Sequence, residues 1–446
     1  MFQRFSLVAL SVFIVGLALA GLVAGREPQA PDKILTVQVV ADKDGFQGGP
    51  VSVPLQIPET WAKDITSTPV VRFGEKSLPG QLTQPGLLTE AIAAEKDKVR
   101  RDLHFIGPPM KAGETAAITV DLTGKVALKS STLKWFDKSK EYAEVSLFDP
   151  EGKKVRPLMR YICRPFDTSS RAEQDKTTKV FHHLYDPEGK RFVTNGGQTD
   201  PGADKQKLLY PHHRGLMFGY RDVTLSDGVK YNVWESNKDG HILHEKYLLV
   251  EQGPVLARHR VLISWWADKK QDFAHEQREL TIYNTDGPTL VDFATKLEAT
   301  GNKVKLSGDA QHAGFHFRAS QDVATSTAKQ TYYLRPDGKG DLGATRNWDP
   351  KKPNEGPIDL PWDALCFLLG NQRYTTGYFN SPSNPKASRF SERDYGRFGC
   401  YFEWELTKDH PLAATYRVSL QKGETDGAAM QSLYSAYAKP PQVTLK

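Results

Sequence analysis

Residues 311–318 read Gln-His-Ala-Gly-Phe-His-Phe-Arg. As a strand of period two, the segment puts His312, Gly314, His316 and Arg318 on one face and Phe315 and Phe317 on the other. The two phenylalanines then point into a core. The opposite face carries two imidazoles and a guanidinium beside a small glycine, which suits a polar ligand that approaches the backbone closely.

The same pattern recurs in both directions along the chain. Toward the N-terminus, strands are predicted at Ile34–Val40 (ILTVQVV), Val51–Ile57, Ala116–Leu122, Glu144–Phe148, Lys179–Leu184, Lys246–Val250, Val255–Trp265, Glu279–Tyr283 and Thr289–Leu297. Toward the C-terminus they recur at Thr376–Phe379, Cys400–Leu406 and Ala414–Leu420. Turn signals such as Asp149-Pro150-Glu151-Gly152 and Pro336-Asp337-Gly338 separate them. Many short strands with few helices predict an all-β chain. A small N-terminal β-sandwich is expected over residues 30–140 and a larger one over 145–446, with the boundary in the lysine-rich stretch between about Gly124 and Glu144. One helix is expected at Gly427–Ala438, stopped by Pro440, and a short helical interval near Leu88–Lys98. Gly338–Pro361 reads as a long loop.

The first 25 residues stand apart. Arg4 precedes an apolar run from Phe5 to about Gly25, followed by small residues, the order of a secretory signal peptide. The run is also near the ~20 residues that span a bilayer, so an uncleaved N-terminal anchor is the alternative. Either way the protein is expected to be exported, to the periplasm or the exterior. The chain has 446 residues, a formal charge of +6, 39% hydrophobic and 25% charged residues, which fits a folded protein. Lys and Arg alternate with Asp and Glu, with no basic block, so no nucleic-acid partner is expected. Beyond the N-terminal segment, no membrane contact is expected. Of the three cysteines, Cys366 and Cys400 sit in apolar patterns and read as core thiols.

Histidines mark the candidate site. Six of the twelve fall in three pairs: His212-His213, His241/His244 and His312/His316. The first lies in Tyr210-Pro211-His212-His213-Arg214-Gly215, where Pro and Gly signal a loop or strand edge. Three adjacent groups of this kind are costly to bury without partners. On an extended chain one imidazole of the pair would face a ligand and the other the scaffold. His241 and His244 would fall on opposite faces of a strand unless the turn at Asp239-Gly240 bends it. His182-His183 reads as structural.

The run Tyr210–Gly219, then Trp234-Glu235, Asp239–His244, Glu276-Gln277-Arg278, Gly314–Arg318, Ser383-Asn384-Pro385 and Arg393–Gly396, resembles an exported family with the domain of unknown function 6807. Members are often labelled methane oxygenase PmoA or PmoA family protein. A period-two pattern cannot build a bundle of membrane helices, so that chemistry is not expected. The resemblance covers about residues 150–420. It implies a β-rich fold similar to the galactose-mutarotase supersandwich.

These residues suit a sugar or oligosaccharide: planar hydrogen-bonding groups with aromatic platforms. The expected function is a carbohydrate-active enzyme, a hydrolase, lyase or epimerase. His212, His213, His244 and Glu235 are the candidate catalytic groups, since imidazole titrates near neutral pH. Arg214, Trp234, His241, His316, Arg318, Asn384 and Arg393 are candidates for binding substrate, with Arg214 as the anchor because its planar fork grips paired oxygens. Glu276 is a further carboxylate near the motifs, and Trp265, Trp266, Trp348 and Trp362 are available for stacking. Two alternatives stay open: a non-catalytic carbohydrate-binding surface protein, and a His-ligated metal enzyme. Three or four His can ligate zinc, copper or iron, so a His-bound metal remains open as cofactor. No tight motif such as HExxH assigns the ligands.

Overall fold

A computed structural model describes residues 33–445 apart from 65–67, 91–92, 94, 127, 206, 236–239 and 269–271. The leader or anchor expected over residues 1–25 lies outside the described residues. The fold is all-β, as the period-two pattern predicts. Two nine-stranded antiparallel sheets carry most of the chain.

One of these, the site sheet, runs in the order Arg346–Asn347, Arg389–Arg393, Arg397–Tyr401, Ala313–Arg318, Leu216–Tyr220, Phe181–Leu184, Lys154–Ile162, Tyr142–Phe148, Thr132–Lys138. The facing sheet runs His241–Glu251, Leu256–Trp266, Asp272–Tyr283, Thr289–Ala299, Leu412–Lys422, Gln372–Asn380, Trp362–Leu369, Tyr332–Arg335, Gly338–Lys339. Their inner faces interlock through aromatic rings. Phe315 of the site sheet lies 4.1 Å from Phe293 and 4.9 Å from Tyr416 of the facing sheet. Phe315 and Phe317 are fully buried, as their alternation requires. Burial of such rings is the main driving force for stacking the sheets.

A seven-stranded sheet holds the N-terminal strands. Val51–Ile57 at one edge and Val37–Val39, one strand in from the other edge, feed one apolar cluster, so the sheet folds over on itself as a small sandwich. Its last member is Gln442–Leu445, paired antiparallel with Ile34–Val40. The chain thus returns to its first strand. Thr132–Lys138, read from sequence with the N-terminal unit, pairs instead with Tyr142–Phe148 in the site sheet.

The C-terminal helix Gly427–Ala438 is where the sequence places it, capped by Asp426, whose Oδ1 accepts the Ala429 N–H at 2.8 Å. The interval near Leu88–Lys98 forms turns in its described residues. A short helix lies earlier, at Glu59–Asp64. Cys163, Cys366 and Cys400 are buried free thiols.

Candidate functional site

The Pro211–Gly215 segment is a turn, not an extended strand. The His213 N–H donates to the Tyr210 carbonyl at 3.1 Å. Asn195 donates through Nδ2 to the His213 carbonyl at 2.6 Å, and the Gly215 N–H donates to the Asn195 carbonyl at 2.7 Å. Gly215 sits at φ +41°, where an added Cβ would lie 2.0 Å from the His182 carbonyl oxygen, so only glycine fits. Beneath the turn the buried Lys179 donates to the His212 carbonyl at 3.1 Å and to the Trp234 carbonyl. A lysine thereby ties two sequence-distant motifs together.

Because the turn curls, His212 and His213 do not diverge. Their rings lie 4.2 Å apart, and His312 stacks 5.4 Å from His213 and 5.7 Å from His212. All three rings offer a nitrogen within 4.8 Å of the others, which makes them the one group of its kind among the described residues. His312 precedes the strand Ala313–Arg318. Its Nδ1 bonds the Asp309 carboxylate at 2.9 and 3.2 Å. Arg221 and the Gln311 N–H hold that carboxylate in turn. Burial alone would raise the Asp309 carboxyl, but the His312 bond and charge bring it down to about 2. Burial, with the Lys179 ammonium next, pushes His212 down to about 3, and His213 falls well below its ordinary range for the same first reason. Both rings are therefore neutral near pH 7. The His212 Nε2 and His213 Nδ1 are buried without a hydrogen-bond partner.

An open recess of about 290 Å³ adjoins the cluster, lined by Arg171, Asp175, Gln198, His212, Arg214 and Glu235 among others. Arg214 lines this space, but its fork is engaged by the protein itself rather than left open for a ligand as the sequence reading expects. Its Nη2 donates to the Asp175 carbonyl and, at 2.9 Å, to Gln198 Oε1, while Nε donates to the Pro211 carbonyl at 3.3 Å. Asp175 belongs to the helix Arg171–Thr177, capped at its start by Ser170. Arg214 thus closes the C-terminus of that helix, satisfying carbonyls that lack an intrahelical partner.

Other expected site residues lie elsewhere. His244 bonds Tyr161 through Nδ1 at 3.2 Å, in a separate group with His182 and His259 between the two large sheets. His241 is buried between Phe166 and Trp266. Arg318 is fully buried and donates to the Ala319 and Tyr395 carbonyls at 2.8 and 2.5 Å. Asn384 bonds the Thr415 backbone on both its amide atoms, which makes it a structural clip. Arg393 lies over Tyr395, whose ring is 6.2 Å from His213, so it borders the cluster. Trp234 is wholly buried, 4.8 Å from His316, and offers no exposed platform. His316 accepts from Arg397 Nη1 at 3.1 Å and stands behind the cluster. The space beside Gly314 is filled by the neighbouring strand, since a Cβ there would meet the Cys400 carbonyl at 2.1 Å. Glu276 is fully buried with Arg278 and Trp265 Nε1, and Trp362 bonds Gln431. Trp266 packs on His241 and Trp348 under Arg389, so no predicted tryptophan platform lines the recess.

Three contributors escaped the sequence reading. Asp309 sits three residues before His312, a spacing that signals a turn carboxylate. Lys179 lies two residues before the strand Phe181–Leu184, in a run the sequence reads as an ordinary strand. Tyr210, 45% exposed, stacks 4.4 Å from Tyr395 at the edge of the cluster.

A family model, that of the family of unknown function DUF6807, matches residues 153–435. The chain belongs to this family. The DUF6807 segment contains the His212 turn, His312, Asp309 and the whole lining of the recess. No curated protein matches the chain. Among solved structures, an alpha-mannosidase from Enterococcus faecalis V583 shares 8% identity over 94% of this chain and 46% of its own, with a TM-score of 0.41. A glycosyl hydrolase family 38 protein from Enterococcus faecalis gives 8% identity, 93% and 48% coverage and a TM-score of 0.41. The galactosidase domain of an alpha-galactosidase-sucrose kinase gives 11% identity, 66% and 41% coverage and a TM-score of 0.31. The DUF6807 chain spans less than half the length of each of these proteins.

Proposed function

We propose that the protein is a carbohydrate-active enzyme, a hydrolase, lyase or epimerase, working at the recess beside His212. The observation that carries this reading is the composition of the recess wall. Arg171 and Arg214 are balanced there by Asp175 and Glu235, with Gln198 and His212 between them. A wall of balanced charge and planar hydrogen-bonding groups suits a neutral, hydroxyl-rich ligand better than a polyanion or a polyamine. The volume, about 290 Å³, is at the small end of ordinary ligand sites (~300–1,000 Å³).

Roles within the site follow from protonation. His212, held near a pKa of about 3, carries no exchangeable positive charge at pH 7 and serves as a neutral hydrogen-bond partner. His213 is only 1% exposed and supports it from behind. The proton-transfer role passes to Glu235, whose carboxylate accepts from Asn232 Nδ2 at 3.2 Å. Purified protein should turn over a member of a panel of glycosides, keto-glycosides and uronides. Glu235→Gln should lower that rate by about 10²–10⁴-fold while leaving the fold intact. Absence of both turnover and sugar affinity across the panel would sink the reading; affinity without turnover would recast the protein as a carbohydrate-binding one.

A further inference from the structure

We infer that His212, His213 and His312 form a metal centre for a divalent first-row transition ion, zinc above all, with Asp309 fixing the third ligand. The inference deepens the reading above, because the ion would face the same recess, but it stands on its own geometry.

Three imidazoles from two separate segments place ligand nitrogens within 4.8 Å of one another. Tetrahedral zinc with Zn–N bonds of about 2.0–2.1 Å sets its ligand nitrogens about 3.3 Å apart, so modest ring rotation closes the set. A cluster built only for packing has no need of this convergence. It also leaves two buried ring nitrogens, His212 Nε2 and His213 Nδ1, with no bond at all. Orphaned polar atoms of this kind call for a partner the protein itself does not supply. A cation takes lone pairs from both rings at once.

The third ring carries an independent sign. His312 directs Nδ1 at the Asp309 carboxylate, 2.9 Å away. With the Nδ1 proton engaged there, the lone pair is fixed on Nε2. This carboxylate–histidine arrangement is the usual outer support of a metal-ligating imidazole. Asp309 is itself immobilised by Arg221 and by the Gln311 N–H at 2.8 Å. It also sets a negative charge against the cations around the cluster, Lys179, Arg214 and Arg397.

Imidazole donors alone suit zinc, copper, iron or nickel and argue against magnesium or calcium, which take oxygen ligands. Because His212 also lines the recess, the open side of a three-ligand centre faces the space assigned to substrate. That is the layout of catalytic rather than structural zinc. A bound ion there would polarise a substrate oxygen or a water.

The test uses full-length protein purified without a polyhistidine tag, stripped with a chelator and titrated with Zn²⁺ and with Co²⁺. We expect saturation at about one equivalent, read by calorimetry and by the visible absorption of Co²⁺. Asp309→Asn should weaken Zn²⁺ binding by about 10–100-fold. His312→Ala should abolish the Co²⁺ spectrum, and His244→Ala, altered in the distant imidazole group, should bind like the parent. Circular dichroism checks the fold of each variant; if His312→Ala does not fold, the parent titration and Asp309→Asn decide. No saturable binding by the parent, or unchanged binding by Asp309→Asn and His312→Ala, overturns the centre. Zinc bound without sugar turnover or affinity would remove the carbohydrate reading and leave the centre standing. Sugar turnover by a protein that binds no metal would do the reverse.

Discussion

Arg214 commits its guanidinium to carbonyl oxygens and to Gln198, so its loss should be felt as stability before it is felt as affinity. Arg214→Ala leaves the helix-end carbonyls of Asp175 and Lys176 without their donor. A fully buried stranded acceptor costs about 1–3 kcal/mol and these are part-buried, so urea unfolding should shift by about 1 kcal/mol or more. A variant that keeps full stability and loses only ligand affinity would restore Arg214 to the anchor role. The imidazoles set the pH dependence. Burial pushes His104, His183, His212 and His259 each to about 3 in the folded state, from 6.5 when unfolded. Below pH 6.5 the unfolded chain therefore binds more protons than the folded one, and stability falls as pH falls. It is fully present above pH 6.5 and drains away between there and about pH 3. Urea midpoints should hold from pH 8 to about pH 6.5 and fall from there to pH 4; a flat profile throughout would mean that these rings protonate in place.

At the scale of elements, the turns decide what the strands leave open. Gly215→Ala combines a positive φ with a Cβ only 2.0 Å from a carbonyl oxygen. It should destabilise by more than about 1 kcal/mol and displace the His212 turn. Asp426→Ala, which removes the cap of helix Gly427–Ala438, should cost about 1 kcal/mol. Thermal unfolding reads both. The strand through Phe315 and Phe317 and the C-terminal helix were legible because strand periodicity and a helix-stopping proline, Pro440, are local signals. The His212–His213 motif was legible as a site but not in its geometry. Successive residues point apart only on an extended chain, and here a turn brings both rings together. His312 was legible as half of a pair with His316, yet it lies before the strand begins, so the two part company. Lys179 was illegible, since nothing local marks a lysine that bonds carbonyls more than 30 residues away; it is separated from His212 by 33 positions. Arg318 and Asn384 fall away from the site because each satisfies itself on nearby backbone, and His244 because it bonds the Tyr161 hydroxyl between the sheets.

For the molecule as a whole, the N-terminal sheet and the large sandwich are joined by side chains as well as by chain. Gln81 Oε1 accepts the Val255 and Leu256 N–H groups at 3.1 and 3.0 Å. Arg260 donates to the Pro85 carbonyl at 2.7 Å. Limited proteolysis is therefore expected to nick between Gly124 and Ser131, ahead of the strand that joins the site sheet, and the pieces should co-elute on gel filtration. Pieces that separate would show that these bonds do not hold the units together. Export is proposed from the leader alone; N-terminal sequencing of protein recovered from the cell should begin between Gly21 and Gln29, whereas Met1 in a membrane fraction favours the anchor.

The strand Gln442–Leu445 lies against Ile34–Val40, and Lys439 donates to Asp44 across 395 positions at 2.7 Å. A ribosome releases Ile34 long before it releases Gln442. Until Gln442 emerges the flank of that first strand stands bare, a ready template for any passing extended segment. Closing so wide a loop is slow, so this flank is the last seam of the molecule to be sewn. Removing Gln442–Leu445 would unseal the N-terminal sheet and leave the imidazole cluster in place.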